Sequence, residues 1–182
     1  MAMDKIYAFD YMITLLNEWR EAFNTGNTCR VLSKLSVLKL LFLVAAPKKD
    51  GGEDLLNVFD NFHALPYGPV ESDIYNAIQN DCLPSYIVSD RMIQPKNTMT
   101  NLPYNVEDFD DIRRAVNELR HTNESLIKLN AFELVEITHK WESWNKSIDF
   151  AHFIGALSYK MTTESIREDA SKCFIYPLAE LI

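Results

Sequence analysis

Val37-Leu38-Lys39-Leu40-Leu41-Phe42-Leu43-Val44-Ala45-Ala46 is the most apolar stretch of the chain, interrupted only by Lys39. Leu35, Leu38, Leu41, Phe42 and Ala45 recur along it at helical spacing. A helix that is apolar almost all round has no face to offer to water, so it belongs at the centre of a fold with other elements packed about it. The run is also far short of the roughly 20 apolar residues that a membrane-spanning helix needs. It reads as the buried central helix of a mainly α protein, stopped by Pro47 and a loop from Lys48 to Gly52.

Outward from this helix, the same periodicity recurs. Ile6, Phe9, Ile13, Leu16, Trp19 and Phe23 predict a first helix over residues 4–24, ended at Thr25-Gly26-Asn27. Leu55, Leu56, Phe59 and Phe62 predict a short third helix. In Ala64-Leu65-Pro66-Tyr67-Gly68-Pro69, two prolines about a glycine force extended or turned backbone. Pro69 then fits the first position of a fourth helix, with Glu71 and Asp73 in its first turn and Val70, Ile74, Tyr75 and Ile78 buried. Ser85–Val88 and Arg91–Ile93 read as a short β-hairpin across Ser89-Asp90, within residues 85–94. A fifth helix starts near Asp108 and carries Phe109, Ile112, Val116, Leu119 and Leu126. Asn130 and Glu133 have capping-box spacing for a sixth helix that ends near Trp141. A seventh element holds Ile148 to Leu157, and Thr162 or Thr163 caps an eighth running to about Cys173. The expectation is a mainly α fold: one compact domain over residues 1–182 with seven to eight helices. Helix 4–24 and the C-terminal helices over 147–175 pack onto the middle of the chain. No internal repeat or low-complexity linker is visible.

Composition narrows the function classes. With 47% hydrophobic and 24% charged residues the chain is an ordinary globular sequence, and 182 residues bury a sizeable core without staples. Cys29, Cys82 and Cys173 are odd in number and widely spaced, which fits packed thiols in a reducing compartment better than a disulfide framework or a zinc site. Met1-Ala2-Met3-Asp4-Lys5 leads into a segment bearing Asp10, Asn17, Glu18 and Arg20, so no secretory signal is read and a cytoplasmic location is expected. The net charge of −8 is uneven, +2 over residues 1–50 and −10 over the remainder. An acidic body argues against nucleic acid as a partner and suits either a basic protein or plain solubility.

Chemistry-bearing constellations are weak. Two E-x-x-H pairs, Glu118 with His121 and Glu136 with His139, have the spacing used in di-iron helix bundles. Glu118 and His121 cannot both point inward with Leu119, so surface pairs are the expected reading and no metal is assigned. Glu107, Asp108, Asp110 and Asp111 lack the alternation and central glycine of a calcium loop and read as an acidic helix start. Arg113, Arg114 and Arg120 sit among carboxylates as a solvated face. Cys82, Cys173, His63, His121, His139 and His152 fall in no nucleophile motif or phosphate loop, so no catalytic residue or cofactor is assigned. A site assembled from distant positions leaves an unrecognised enzyme as one alternative.

Several segments taken together resemble one family. Leu35 to Phe42, read as L-x-x-L-K-L-L-F, is followed by Phe59-x-x-Phe62-His63-Ala64, then Tyr67-Gly68-Pro69-Val70 and Tyr75. Later come Glu133-Leu134-x-x-Ile137-Thr138-His139 and Trp144. This order and spacing, over roughly residues 35–144, resemble the Panacea antitoxin domain, or SocA-like antitoxin family, of phage- and plasmid-associated bacterial proteins. Pro66 and Phe42 depart from the residues common there, and residues 81–106 show no clear match, so no partner contact is carried over to them. The resemblance implies an antitoxin that binds a cognate protein toxin, encoded nearby, with no enzymatic activity of its own. An adaptor that delivers a bound protein to a protease, or a phage anti-defence binder, is the alternative within the same class. Many members carry an added DNA-binding domain for which this chain has no room, so self-regulation on DNA is not expected. The family-motif residues Tyr67, Gly68, Pro69, Val70, Tyr75, His139 and Trp144 are then either structural or partner-binding. Tyr67 on a Pro-Gly-Pro turn can anchor a partner or pack on the core. His139 reads as a hydrogen-bonded structural histidine.

Overall fold

The computed structural model describes residues 4–23, 31–48, 52–96 and 102–169. Helix α1 (Lys5–Ala22) starts where the Asp4 carboxylate accepts the N–H groups of Ile6 and Tyr7, both at 3.0 Å. It ends on Phe23, and the expected Gly26 breaker lies outside the described residues. Helix α2 (Lys34–Ala45) is capped by Ser33, and every residue from Ser36 to Ala45 is buried. It is the centre that its composition predicts.

The expected third helix does not form. Leu55 to Phe59 make a single turn in which the Val58 and Phe59 N–H groups both donate to the Leu55 carbonyl, at 3.0 and 2.8 Å. One turn suffices to bury Leu55, Leu56 and Phe59. Phe62 then opens a strand, β1 (Phe62–Leu65), whose alternate residues Phe62 and Ala64 are buried. Strand β2 (Gly68–Glu71) pairs antiparallel with it, in a register from Phe62 opposite Glu71 to Leu65 opposite Gly68. The turn signals around Tyr67 therefore build a hairpin with Pro66 and Tyr67 at its tip. Pro69 does not open a helix. It stands in β2 at the edge of the sheet, a position where its missing N–H costs no ladder bond. Helix α3 (Ser72–Gln79) begins later, capped by the buried Glu71 carboxylate, which accepts the Ile74 N–H at 2.8 Å.

Strands β3 (Tyr86–Val88) and β4 (Ile93–Pro95) form the second hairpin expected near residues 85–94, with Val88 opposite Ile93. Its partner strand starts two residues later than read, because the Ser89 hydroxyl bonds the Met92 carbonyl and N–H and draws Asp90 to Met92 into the turn. The wholly buried Asp10 ties this region to α1, accepting the Ser85 N–H at 2.9 Å and the Tyr104 hydroxyl at 2.8 Å.

Helix α4 (Asp110–Thr122) follows a 3-10 turn at Val106–Phe109 and buries Ile112, Val116 and Leu119. Leu126 is not on it. Asn123, at φ −145°, breaks the helix, and Leu126 enters the core from a separate 3-10 turn at Glu124–Lys128. Helix α5 (Ala131–Thr138) has the predicted capping box between Asn130 and Glu133. It stops at His139, short of Trp141, which instead precedes α6 (Glu142–Phe153). That helix begins six residues before Ile148, the first expected position. Strand β5 (Tyr159–Lys160) adds to the free side of β1, placing β1 between β2 and β5. Thr162 caps α7 (Thr163–Glu168), and the expected extension to Cys173 lies outside the described residues. Helix α2 touches α1, α4, α5 and β2. Phe42 on it meets Phe62 and Trp141 edge-on, with centroids 5.3 and 4.9 Å away. No helix among the described residues is long and apolar enough to cross a membrane.

Candidate functional site

The β1–β2 hairpin stands against α2 and is fixed from behind. Lys39, the one polar residue in the apolar run, has no exposed surface, and its ammonium donates to the Pro69 carbonyl at 2.6 Å. Burial pushes its pKa down to about 7. Gly68 has φ +95°, and a Cβ there would lie 2.5 Å from Thr138 Oγ1 and 3.1 Å from Lys39 Nζ. Only glycine combines that backbone with so close an approach of α5 and α2. The Trp144 indole N–H donates to the Leu65 carbonyl at 3.0 Å, and the His139 ring stacks on Trp144 at 3.9 Å, nearly parallel. Burial and the neighbouring Lys39 hold the His139 pKa below its usual value, opposed by a hydrogen bond with the Pro66 backbone.

With its base clamped, the hairpin projects its tip outward. Tyr67 is 61% exposed. Between the tip, α2 and α3 lies an open groove of about 370 Å³. Its floor is Leu35, Leu38 and Val70 with the stem of Lys39, and its walls are Leu65, Pro66, Tyr67 and Tyr75. Lys34 and Asp90 close one end as an ion pair. Such a surface can take apolar or aromatic side chains of a protein segment between two tyrosines, with polar groups only at the rim. Asp90, the carboxylate among the lining residues, is paired with Lys34, and the Lys39 amine is fully enclosed.

Of the residues singled out in the sequence, Tyr67, Val70 and Tyr75 meet in this groove. Gly68 and Pro69 form its rear attachment, and His139 and Trp144 form the buttress behind Leu65. The sequence reading missed Lys39 and Thr138 as partners of the hairpin. Lys39 had one available signal, a lone cation inside an otherwise apolar helix. Of the two E-x-x-H pairs, His139 is stacked on Trp144 and His121 lies in the last turn of α4. A different carboxylate group, Asp60, Glu71 and Asp73, does converge, and the Lys5 ammonium sits among the three at 2.6–2.7 Å. The cation at that place is the chain's own.

Comparison with known proteins agrees with the motif order. The family model described as "Antitoxin SocA-like, Panacea domain" matches residues 37–145, which include most of α2, the hairpin, α3, α4, α5 and the start of α6. Searches of curated proteins and of solved structures gave no match. With well over half of its length matched, and the hairpin, its clamp and its buttress all inside the matched span, this chain belongs to the SocA-like antitoxin family with the Panacea domain.

Proposed function

We propose that this protein is a bacterial cytoplasmic antitoxin that neutralises a cognate protein toxin, encoded nearby, by direct binding. The docking face is the groove beside the hairpin, with Tyr67 and Tyr75 as anchors. The observation that carries this reading is Tyr67 itself. A large aromatic stands 61% exposed on a tip whose base is bound to α2, α5 and α6, so it is presented rigidly and loses little freedom on binding. Gly68, Pro69, Val70, His139 and Trp144 act by holding that tip in place. The acidic body, at net −8, favours a basic toxin through long-range attraction.

The test uses purified protein and the product of the neighbouring gene. The wild type is expected to abolish toxicity on co-expression and to inhibit the purified toxin with no protease present. Tyr67→Ala is expected to weaken binding about 30-fold, the measure of a 2 kcal/mol hot spot, with thermal stability unchanged. Neutralisation that requires a host protease would replace direct inhibition with delivery. Unchanged affinity in Tyr67→Ala and Tyr75→Ala would move the docking face elsewhere.

A further inference from the structure

A second apolar surface, sharing no residue with the groove, lies at the C-terminal end of α6. Phe153 and Leu157 are 86% and 88% exposed, and Phe150, Ile154 and Tyr159 are exposed beside them. The Phe150 ring lies 4.6 Å from Tyr159 and 6.4 Å from Phe153, so the patch is continuous across α6 and β5. It is built on a closed turn. Gly155, at φ +72°, donates its N–H to the His152 carbonyl at 3.1 Å, and the Ala156 N–H reaches back to the Ala151 carbonyl at 2.8 Å. These two bonds are the glycine-terminated cap that satisfies the last carbonyls of a helix. The chain then re-enters the sheet at β5. The turn between Phe153 and Leu157 is therefore anchored at both ends. Scattered exposed apolar residues are ordinary, whereas a contiguous patch held this way marks a contact surface.

We propose that this patch is the face through which two copies of the chain pair about a two-fold axis. Two observations select a second copy as the occupant. The first is charge. Phe153-Ile154-Gly155-Ala156-Leu157-Ser158-Tyr159 carries no charged residue, on a chain of net −8. Identical acidic bodies repel where carboxylates meet, and this run lets them touch without that penalty. A basic partner would gain no electrostatic attraction from it. The second is area. A fully open aromatic offers roughly 150–250 Å². Phe153 and Leu157 keep nearly all of their surface open and Phe150, Ile154 and Tyr159 about half, so the five side chains supply the apolar centre and a polar rim the remainder of the roughly 800 Å² per partner of a standard interface. A two-fold axis uses the same patch twice. Strand addition does not explain the contact, because β5 has two residues and ends in Lys160, a poor template for pairing. The pairing is side chain against side chain, and it is independent of which toxin the groove binds.

Sedimentation of the full chain over a micromolar concentration series, beside the double variant Phe153→Glu/Leu157→Glu, tests this. Both side chains are almost fully exposed, so the variant keeps its fold, which circular dichroism checks. The wild type is expected to be a dimer that dissociates on dilution, with hydrogen exchange over residues 153–159 slowing as it assembles, and the variant to be a monomer throughout. A wild type that is monomeric at every concentration overturns the proposal, as does a variant that still dimerises. If a monomeric wild type shows protection of residues 153–159, its own chain covers the patch. If the variant of a monomeric wild type loses toxin binding, the patch belongs to the toxin. Either result also overturns the pairing.

Discussion

Gly68 and Lys39 act on the hairpin through opposite properties, one by having no side chain and the other by having a long buried one. At Gly68 an added methyl meets both a positive φ and the Thr138 hydroxyl. Gly68→Ala is expected to cost about 1–3 kcal/mol for the backbone alone, with the clash added, seen as a lower melting temperature and weakened toxin binding together. Lys39 makes stability depend on pH. It titrates near 10.5 in the unfolded chain and near 7 in the fold. Between those values the unfolded chain holds a proton that the folded one does not, so raising the pH stabilises the fold. The wild type is expected to gain about 2 kcal/mol from pH 7 to pH 9, bounded by about 1.4 kcal/mol per unit for one group. In Lys39→Met that rise is absent, and denaturant midpoints at the two pH values would show it. Parallel slopes in the two proteins would place the ammonium outside the buried environment described here.

Among elements, the sharpest dependence is that of α1 on the hairpin and α3. Lys5 reaches from the first turn of α1 to Asp60, Glu71 and Asp73. Burial opposes its charge, but the three carboxylates outweigh this and raise its pKa. In return, Lys5 holds the Asp60 and Asp73 carboxyls below their ordinary range. Glu71 is wholly buried, and on loss of Lys5 it keeps the Asn61 and Ile74 N–H donors. Lys5→Met is therefore expected to cost about 1–2 kcal/mol, less than the 3–5 kcal/mol of a fully stranded buried charge. The acid limb should change too. Carboxyls with lowered folded pKa contribute stability above about 3.8, the unfolded value, and that is lost as pH falls through the folded values. The variant, with less of this contribution to lose, is expected to unfold over a shallower acid limb, measurable by tryptophan fluorescence from pH 5 to pH 2.

For the whole molecule, α2 is the common neighbour, and its loss of volume is felt by several layers at once. Leu41 has no exposed surface. Leu41→Ala is expected to cost about 2–5 kcal/mol, against a total stability of about 5–15 kcal/mol for a domain. Calorimetry should show one cooperative transition at lower temperature, whereas a split transition would mean that α1 and the C-terminal helices unfold apart from the core.

The sequence alone determined that α2 is central, because an all-apolar helix has only one stable environment. It also determined the cap at Asn130, a cap at Thr162 or Thr163, and the presence of a turn at Tyr67, since capping and proline–glycine signals act within a few residues. It could not determine that this turn closes a hairpin, because Phe62 and Ala64 become a strand only when Gly68 to Glu71 and Tyr159 are there to pair with them. It misread Pro69 as a helix start for the same reason, since a proline at a sheet edge and one at a helix start obey the same local constraint. Lys39 looked like an interruption, and only the tertiary structure gave it the Pro69 carbonyl, 30 residues away, as its partner. The two faces now open to test were decided in the same way. Which aromatics are left outside depends on how distant elements fill the core, and helical spacing marks only which residues share a side.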